Sequence, residues 1–125
     1  MPKIFSEKER IEIIDTLQKG AMHELSRVGV RKTTVDELCR ISHLAKGSFY
    51  LFYESKEELF LDCLKTFADS LEEMYLGMLQ NLDENHIVSS LTTVFVTIAK
   101  RFRDEGIFRF LDEENIALIK RKVPE

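Results

Sequence analysis

Residues 33–53 read Thr33-Thr34-Val35-Asp36-Glu37-Leu38-Cys39-Arg40-Ile41-Ser42-His43-Leu44-Ala45-Lys46-Gly47-Ser48-Phe49-Tyr50-Leu51-Phe52-Tyr53, and the fold turns on how this stretch divides. Thr34-Val35-Asp36-Glu37 has the Thr-x-x-Glu form of a capping box, in which hydroxyl and carboxylate each satisfy a free backbone N–H at a helix start. It predicts a helix from Thr34 to about Ile41. A break at Ser42-His43-Leu44 precedes a second short helix from about Ala45 to Tyr53. Two short helices about a tight turn have the proportions of a helix-turn-helix, whose second helix projects its first side chains into a groove about 12 Å wide. Leu38, Ile41, Leu44, Phe49 and Tyr53 would hold the pair together, leaving Lys46, Ser48, Tyr50 and Leu51 outward. Any small helical hairpin shares this periodicity, so pattern alone leaves both readings open.

On either side the helical period continues. Ile11, Ile14, Leu17, Ala21, Leu25 and Val28 make one stripe that ends at Gly29, predicting a helix from about Glu7 to Val28. Ser55-Lys56-Glu57-Glu58 repeats the capping pattern and opens a long helix through Leu59, Cys63, Phe67 and Leu71 to the polar stretch 81–85. Ile87, Leu91, Val94, Phe95, Ile98 and Phe102 predict a further helix, stopping near Gly106. Phe110, Leu111 and residues 117–119 predict a last one before Pro124. No segment alternates as a strand would, so the fold class is all-α: a three-helix, homeodomain-like head over residues 1–54 and a helical body over 55–125.

The 125 residues, 44% hydrophobic, suffice for one compact domain or a head with part of a body. Cys39 and Cys63 have no metal-ligand spacing with each other or with His23, His43 and His86, and suggest no disulfide framework. The polar start of the chain and its short apolar runs predict no signal peptide and no membrane partner, so a cytoplasmic protein is the expectation. No nucleophile, base and orienting group, and no metal set, falls at helical spacing, which argues against an enzyme and predicts no cofactor. Net charge is −4, yet residues 27–56 hold six basic side chains (Arg27, Arg31, Lys32, Arg40, Lys46, Lys56) against three acidic ones (Asp36, Glu37, Glu54). That local excess fits contact with phosphates, and an ordinary solvated face would show it too.

Gly29, Thr33-Thr34-Val35-x-x-Leu38 and Lys46-Gly47-Ser48-Phe49-Tyr50-Leu51-Phe52-Tyr53-x-Ser55-Lys56-Glu57-Glu58-Leu59-Phe60 together resemble the N-terminal signature of the tetracycline-repressor-like (TetR) family of bacterial regulators. The resemblance runs from about Ile11 to Phe67. It implies that Thr33 or Thr34 caps the first short helix and donates to a phosphate, and that Lys46, Gly47 and Ser48 face the groove, with the outward Leu51 a further candidate for DNA contact. Tyr50 then matches a phosphate-binding tyrosine, with a core tyrosine as its alternative. Lys56 would add its charge to a helix N-terminus that already favours an anion. Ala45 cannot cap the second helix, His43 stands where a glycine in left-handed conformation is common, and Phe52 lacks the donor of the usual Tyr or His.

The resemblance further implies a double-stranded, near-palindromic DNA operator, a homodimer and a small-molecule effector acting by repression. Phe67, Met74, Phe95, Ile98 and Phe102 are candidates to line the effector pocket, although an aromatic stripe at helical spacing also describes plain core. Family members usually approach two hundred residues, so a shortened body without the final dimerising helices is expected.

Overall fold

The structure, a computed structural model, describes residues 5–122. Helix α1, Glu7–Arg27, starts at a complete capping box: Ser6 Oγ accepts from Glu9 N and Glu9 Oε1 from Ser6 N, both at 3.1 Å. Its stripe Leu17, Ala21 and Leu25 is buried. Gly29, at φ +82°, turns the chain directly into a one-turn helix, α2, Gly29–Lys32, which side-chain periodicity does not reveal.

Helix α3, Val35–Ser42, is capped by Thr34, whose hydroxyl accepts from Glu37 N at 3.1 Å. The reciprocal half of the expected box is missing, because the Glu37 carboxylate takes a two-pronged bond from the Arg40 guanidinium. His43 then adopts φ 52°, ψ 44°, the left-handed conformation that its position suggested. Its N–H donates to Arg40 O at 3.4 Å, and Leu44 N donates to Cys39 O at 2.9 Å. These two bonds are those of a Schellman turn.

Helix α4 spans only Lys46–Phe49, shorter than expected, with Ala45 providing no side-chain cap. Bonds of Leu51 N to Ser48 O (3.0 Å) and Phe52 N to Phe49 O (2.9 Å) tighten the chain into turns beyond it. Helix α5, Lys56–Gln80, begins where Ser55 Oγ accepts from Glu58 N; Glu58 reaches one residue further back, to Glu54 N. A 3₁₀ turn at Glu84–His86 leads to α6, Ile87–Asp104. The last expected helix divides into a 3₁₀ turn, Ile107–Leu111, and α7, Glu113–Lys122.

One core serves head and body together. Leu17, Leu25, Val30, Leu38 and Phe49 meet Leu59, Phe60 and Cys63 of α5, and Ile107, Phe110 and Ile119 close the far side. Phe110 packs edge-on against Phe60, with centroids 6.0 Å apart. Each such fully buried side chain contributes about 1.5–3 kcal/mol. Helix α7 thereby returns to the head, where Asn115 Oδ1 accepts from Val30 N at 3.1 Å and its Nδ2 donates to Arg109 O at 2.8 Å. Helix α6 is different, since of its 18 residues only Val94 is buried.

Two outcomes follow from this packing. A left-handed residue other than glycine carries a strain of about 1 kcal/mol. His43→Gly should therefore raise unfolding free energy in urea by about 0.5–1 kcal/mol, and His43→Val should lower it by more than 1 kcal/mol. Burial holds both thiols up, Cys39 above its ordinary range and Cys63 to about 12. Because the thiolate is the reactive form, the native protein at pH 8 should resist aromatic-disulfide labelling, and both cysteines should react on unfolding.

Candidate nucleic-acid interface

The α3–turn–α4 hairpin is seated by its apolar side. Phe49 is fully buried, meeting Tyr53 at 6.0 Å and the Tyr50 ring edge-on at 5.4 Å. With Phe49 pointing in, the rest of this short helix and its following turn face out. Lys46 and Gly47 are exposed, Tyr50 and Leu51 are 50% and 49% exposed, and Ser48 is half-buried. A Cβ built on Gly47 would meet nothing within 4 Å. The fold itself therefore makes no demand for glycine there, and open space is left for an approaching partner. Phe52 is turned aside, packing against Phe5 at 5.6 Å with the Arg10 guanidinium over its ring at 5.0 Å. Where the resemblance would place a backbone donor, this chain has an apolar strut from the hairpin to the start of α1.

Two expected contact residues have other work in this structure. Thr33 is fully buried, and its hydroxyl donates to Gly29 O at 2.7 Å, so capping falls to the exposed Thr34 alone. Lys56 does not project its ammonium from the α5 N-terminus. Nζ donates to Val30 O (2.9 Å), Arg31 O (3.0 Å) and Thr33 O (2.7 Å), which uses all three of its N–H bonds. Burial lowers its pKa. Neither position offers a free donor on the surface.

The basic excess of residues 27–56 is similarly committed. Arg27 forms a two-pronged bond with buried Glu24, Arg40 pairs with Glu37, and Arg31 reaches Glu114 at 3.0 Å. Lys46 Nζ lies 3.1 Å from Asp36 Oδ1, and that bond raises the lysine's pKa. Both partners are largely exposed, so the pair is worth little in water and exchanges readily for a phosphate or a base edge. With Lys56 held by carbonyls, Lys32, exposed beside Thr33, is the cation of this segment with neither an ion pair nor a carbonyl seat among the described residues. The resemblance did not single it out, and only the pairing of its neighbours draws attention to it.

The hairpin is tied to the body by a second polar node. Tyr53 Oη donates to Asp62 Oδ2 at 2.6 Å, and Gln18 Nε2 donates to the same oxygen at 3.1 Å and to Thr66 Oγ1 at 3.0 Å. Burial first, and the Asp62 bond second, keep the Tyr53 hydroxyl protonated well above the ordinary phenol range.

The five candidate pocket residues are not brought together around one cavity. Phe67 is buried and stacks edge-on with Phe102 at 5.0 Å, while Met74 and Ile98 are half-buried and Phe95 is 69% exposed. A cleft of about 380 Å³ between α1 and α5 includes Gln18, Met22, Cys63, Thr66 and Phe67 in its walls. Met74 lines a separate groove with Gly77, Met78 and Val94. Of this stripe, Phe67 and Phe102 pack on each other, while Phe95 stands exposed on α6.

The family described as "Bacterial regulatory proteins, tetR family" matches residues 17–63, a span that runs from α1 through the hairpin into α5. An uncharacterized HTH-type transcriptional regulator of Bacillus subtilis (strain 168), YdgC, is 27% identical over 104 residues, covering 83% of this chain and 50% of that protein. The chain thus spans about half the length of the curated relative it matches. No solved structure matches. No helix among the described residues is long and apolar enough to cross a membrane. With the hairpin geometry and the residues that the match covers in agreement, residues 17–63 are similar to the DNA-binding domain of the tetR family of bacterial regulatory proteins.

Proposed function

We propose that the chain is a sequence-specific, DNA-binding transcriptional regulator of the cytoplasm, not an enzyme, and that it acts as a ligand-responsive repressor. Residues 1–54 are its reading head and 55–125 belong to a helical body that pairs two heads on a palindromic operator. The observation that carries this reading is the outward edge of α4 and its turn. Lys46, Gly47, Tyr50 and Leu51 stand exposed around an anchored Phe49, on the hairpin that the family match covers. Lys46 suits guanine N7/O6 or a phosphate, Ser48 either kind of acceptor, and the Tyr50 hydroxyl a phosphate. Thr34 and Lys32 flank them at the start of α3. An effector would act through its differential affinity for two head spacings, transmitted by α5.

Selection of bound sequences from random DNA should recover two related half-sites about 34 Å apart, centre to centre, or a multiple of one helical turn. Recovery of no consensus would sink the reading. Tyr50→Phe should weaken binding to all sequences about tenfold, the loss of one charge-assisted hydrogen bond. Lys46→Ala should lower the salt slope by about one and relax base preference at one position. Lys56→Ala should instead cost about 1–3 kcal/mol of stability while leaving the slope unchanged, because its ammonium is held by carbonyls. Anisotropy titrations across a salt series, beside urea unfolding, separate these outcomes. An unchanged affinity in both Tyr50→Phe and Lys46→Ala would remove α4 from the interface.

A further inference from the structure

We infer that the basic end of α7, Lys120-Arg121-Lys122, is part of the DNA-binding surface and holds backbone phosphates beside the hairpin, in place of the enclosed Lys56. The inference rests on the reading of the chain as a DNA-binding protein. It adds a contact from the body, beyond the family match, which ends at residue 63.

Helix α7 is fixed to the head at its start and through the core. Asn115 Oδ1 accepts from Val30 N at 3.1 Å, Arg31 reaches Glu114 at 3.0 Å, and Ile119 is buried in the shared core. The last turn therefore has a set place relative to the hairpin. Lys122 lines a groove with Phe52, Tyr53, Ser55 and Glu58, which begins one residue after the exposed Tyr50 and Leu51. Lys122 also lowers the Lys56 pKa, behind burial as the larger cause, so the two ammonium groups lie within electrostatic reach. One continuous surface thus runs from α4, through the turn that follows it, to the end of α7.

Charge selects the partner. Residues 58–125 hold eight basic side chains against thirteen acidic ones, yet three of the eight stand consecutively in the last turn of α7. All three are exposed, and none has an ion pair or a side-chain hydrogen bond among the described residues. The other charged groups of the groove are Glu54, Glu58, Asp62 and Lys65. Two of its carboxylates are engaged within the fold: Glu58 accepts from Glu54 N, and Asp62 from Tyr53 and Gln18.

A phosphate that follows the surface past Tyr50 reaches the start of α5, where Glu54, Glu57 and Glu58 stand against one lysine already committed to carbonyls. The three cations of α7 offset that negative charge. They act without direct contact too, because screening at physiological salt sets in only beyond about 8 Å. The dipole of α7 also favours cations at its C-terminus, which by itself would make the cluster a stabiliser of its own helix. The two roles differ in their dependence on salt, since each phosphate neutralised adds about 0.9 to the slope of affinity against salt.

The experiment is fluorescence anisotropy on the 125-residue chain across a salt series, with the consensus duplex recovered by selection and a random duplex of equal length. The triple variant Lys120→Ala, Arg121→Ala, Lys122→Ala should lower the salt slope by about two and weaken binding to both duplexes about tenfold at physiological salt. Its helical circular dichroism and urea midpoint should match wild type, and the double variant Lys120→Arg, Lys122→Arg should keep the wild-type slope. Lys100→Ala with Arg103→Ala removes two cations from α6, which packs on α5 and the 3₁₀ turns at either end, and should leave the slope unchanged. A triple variant with the wild-type slope, or with a loss no larger than that of the α6 control, overturns the inference. A lowered urea midpoint with an intact slope also overturns it and assigns the cluster to the helix dipole. A loss confined to the consensus duplex overturns the phosphate role. A wild type that binds neither duplex overturns the DNA-binding reading itself, whereas weakening in Tyr50→Phe beside an unaffected triple variant overturns this inference alone.

Discussion

The ammonium of Lys56 gathers three backbone carbonyls, and the position of the whole head depends on that seat. Helix α2 is a single turn, too short to persist by its own hydrogen bonds, because nucleation costs more than one bond returns. Lys56 closes its C-terminal end, Asn115 closes Val30 N at the other, and Val30 is sunk in the core. Since α3 begins three residues after α2, the direction in which the hairpin leaves α1 is fixed from the body side. A lysine that a family pattern would assign to a phosphate thus holds the hairpin in place through backbone carbonyls.

The Tyr53–Asp62–Gln18 node supplies the second tie. Lys56 and Asp62 lie six residues apart on α5, one holding the entry to the hairpin and the other its exit. A displacement of α5 must therefore move α2, α3 and α4 together or break charge-assisted bonds at both points. Movement of α5 is thereby coupled to the position of the hairpin. The coupling needs no pathway beyond the first two turns of one helix.

Electrostatics gives a different picture from the residue count. Most of the positive charge in residues 27–56 is matched inside the fold, and the partly buried cases, Arg27 with Glu24 and Lys56 with carbonyls, are not exchangeable at low cost. The exposed pair of Lys46 with Asp36 is exchangeable. The working positive surface is thus smaller and more local than the sequence excess, centred on Lys46 and Lys32.

Periodicity and capping residues by themselves determined the all-helical fold, the bounds of α1, α5 and α6 to within a residue or two and the outward set of α4, because each is a local effect of side chains on their own backbone. Thr34 and Ser55 are legible for that reason, whereas the left-handed turn at His43 was implied only by the resemblance. Tertiary structure alone decided that Thr33 is buried, that Lys56 is enclosed by carbonyls, that α2 exists and that Phe95 faces out while Phe67 and Phe102 stack. All of these depend on which distant element fills the space beside a residue: α7 and Asn115 for α2, and the crossing of α5 for α6. A pattern of threes and fours marks one apolar arc of a helix but not which neighbour covers it. On α6 the arc is wider than α5 can cover, and that excess became visible only when the two helices were packed together.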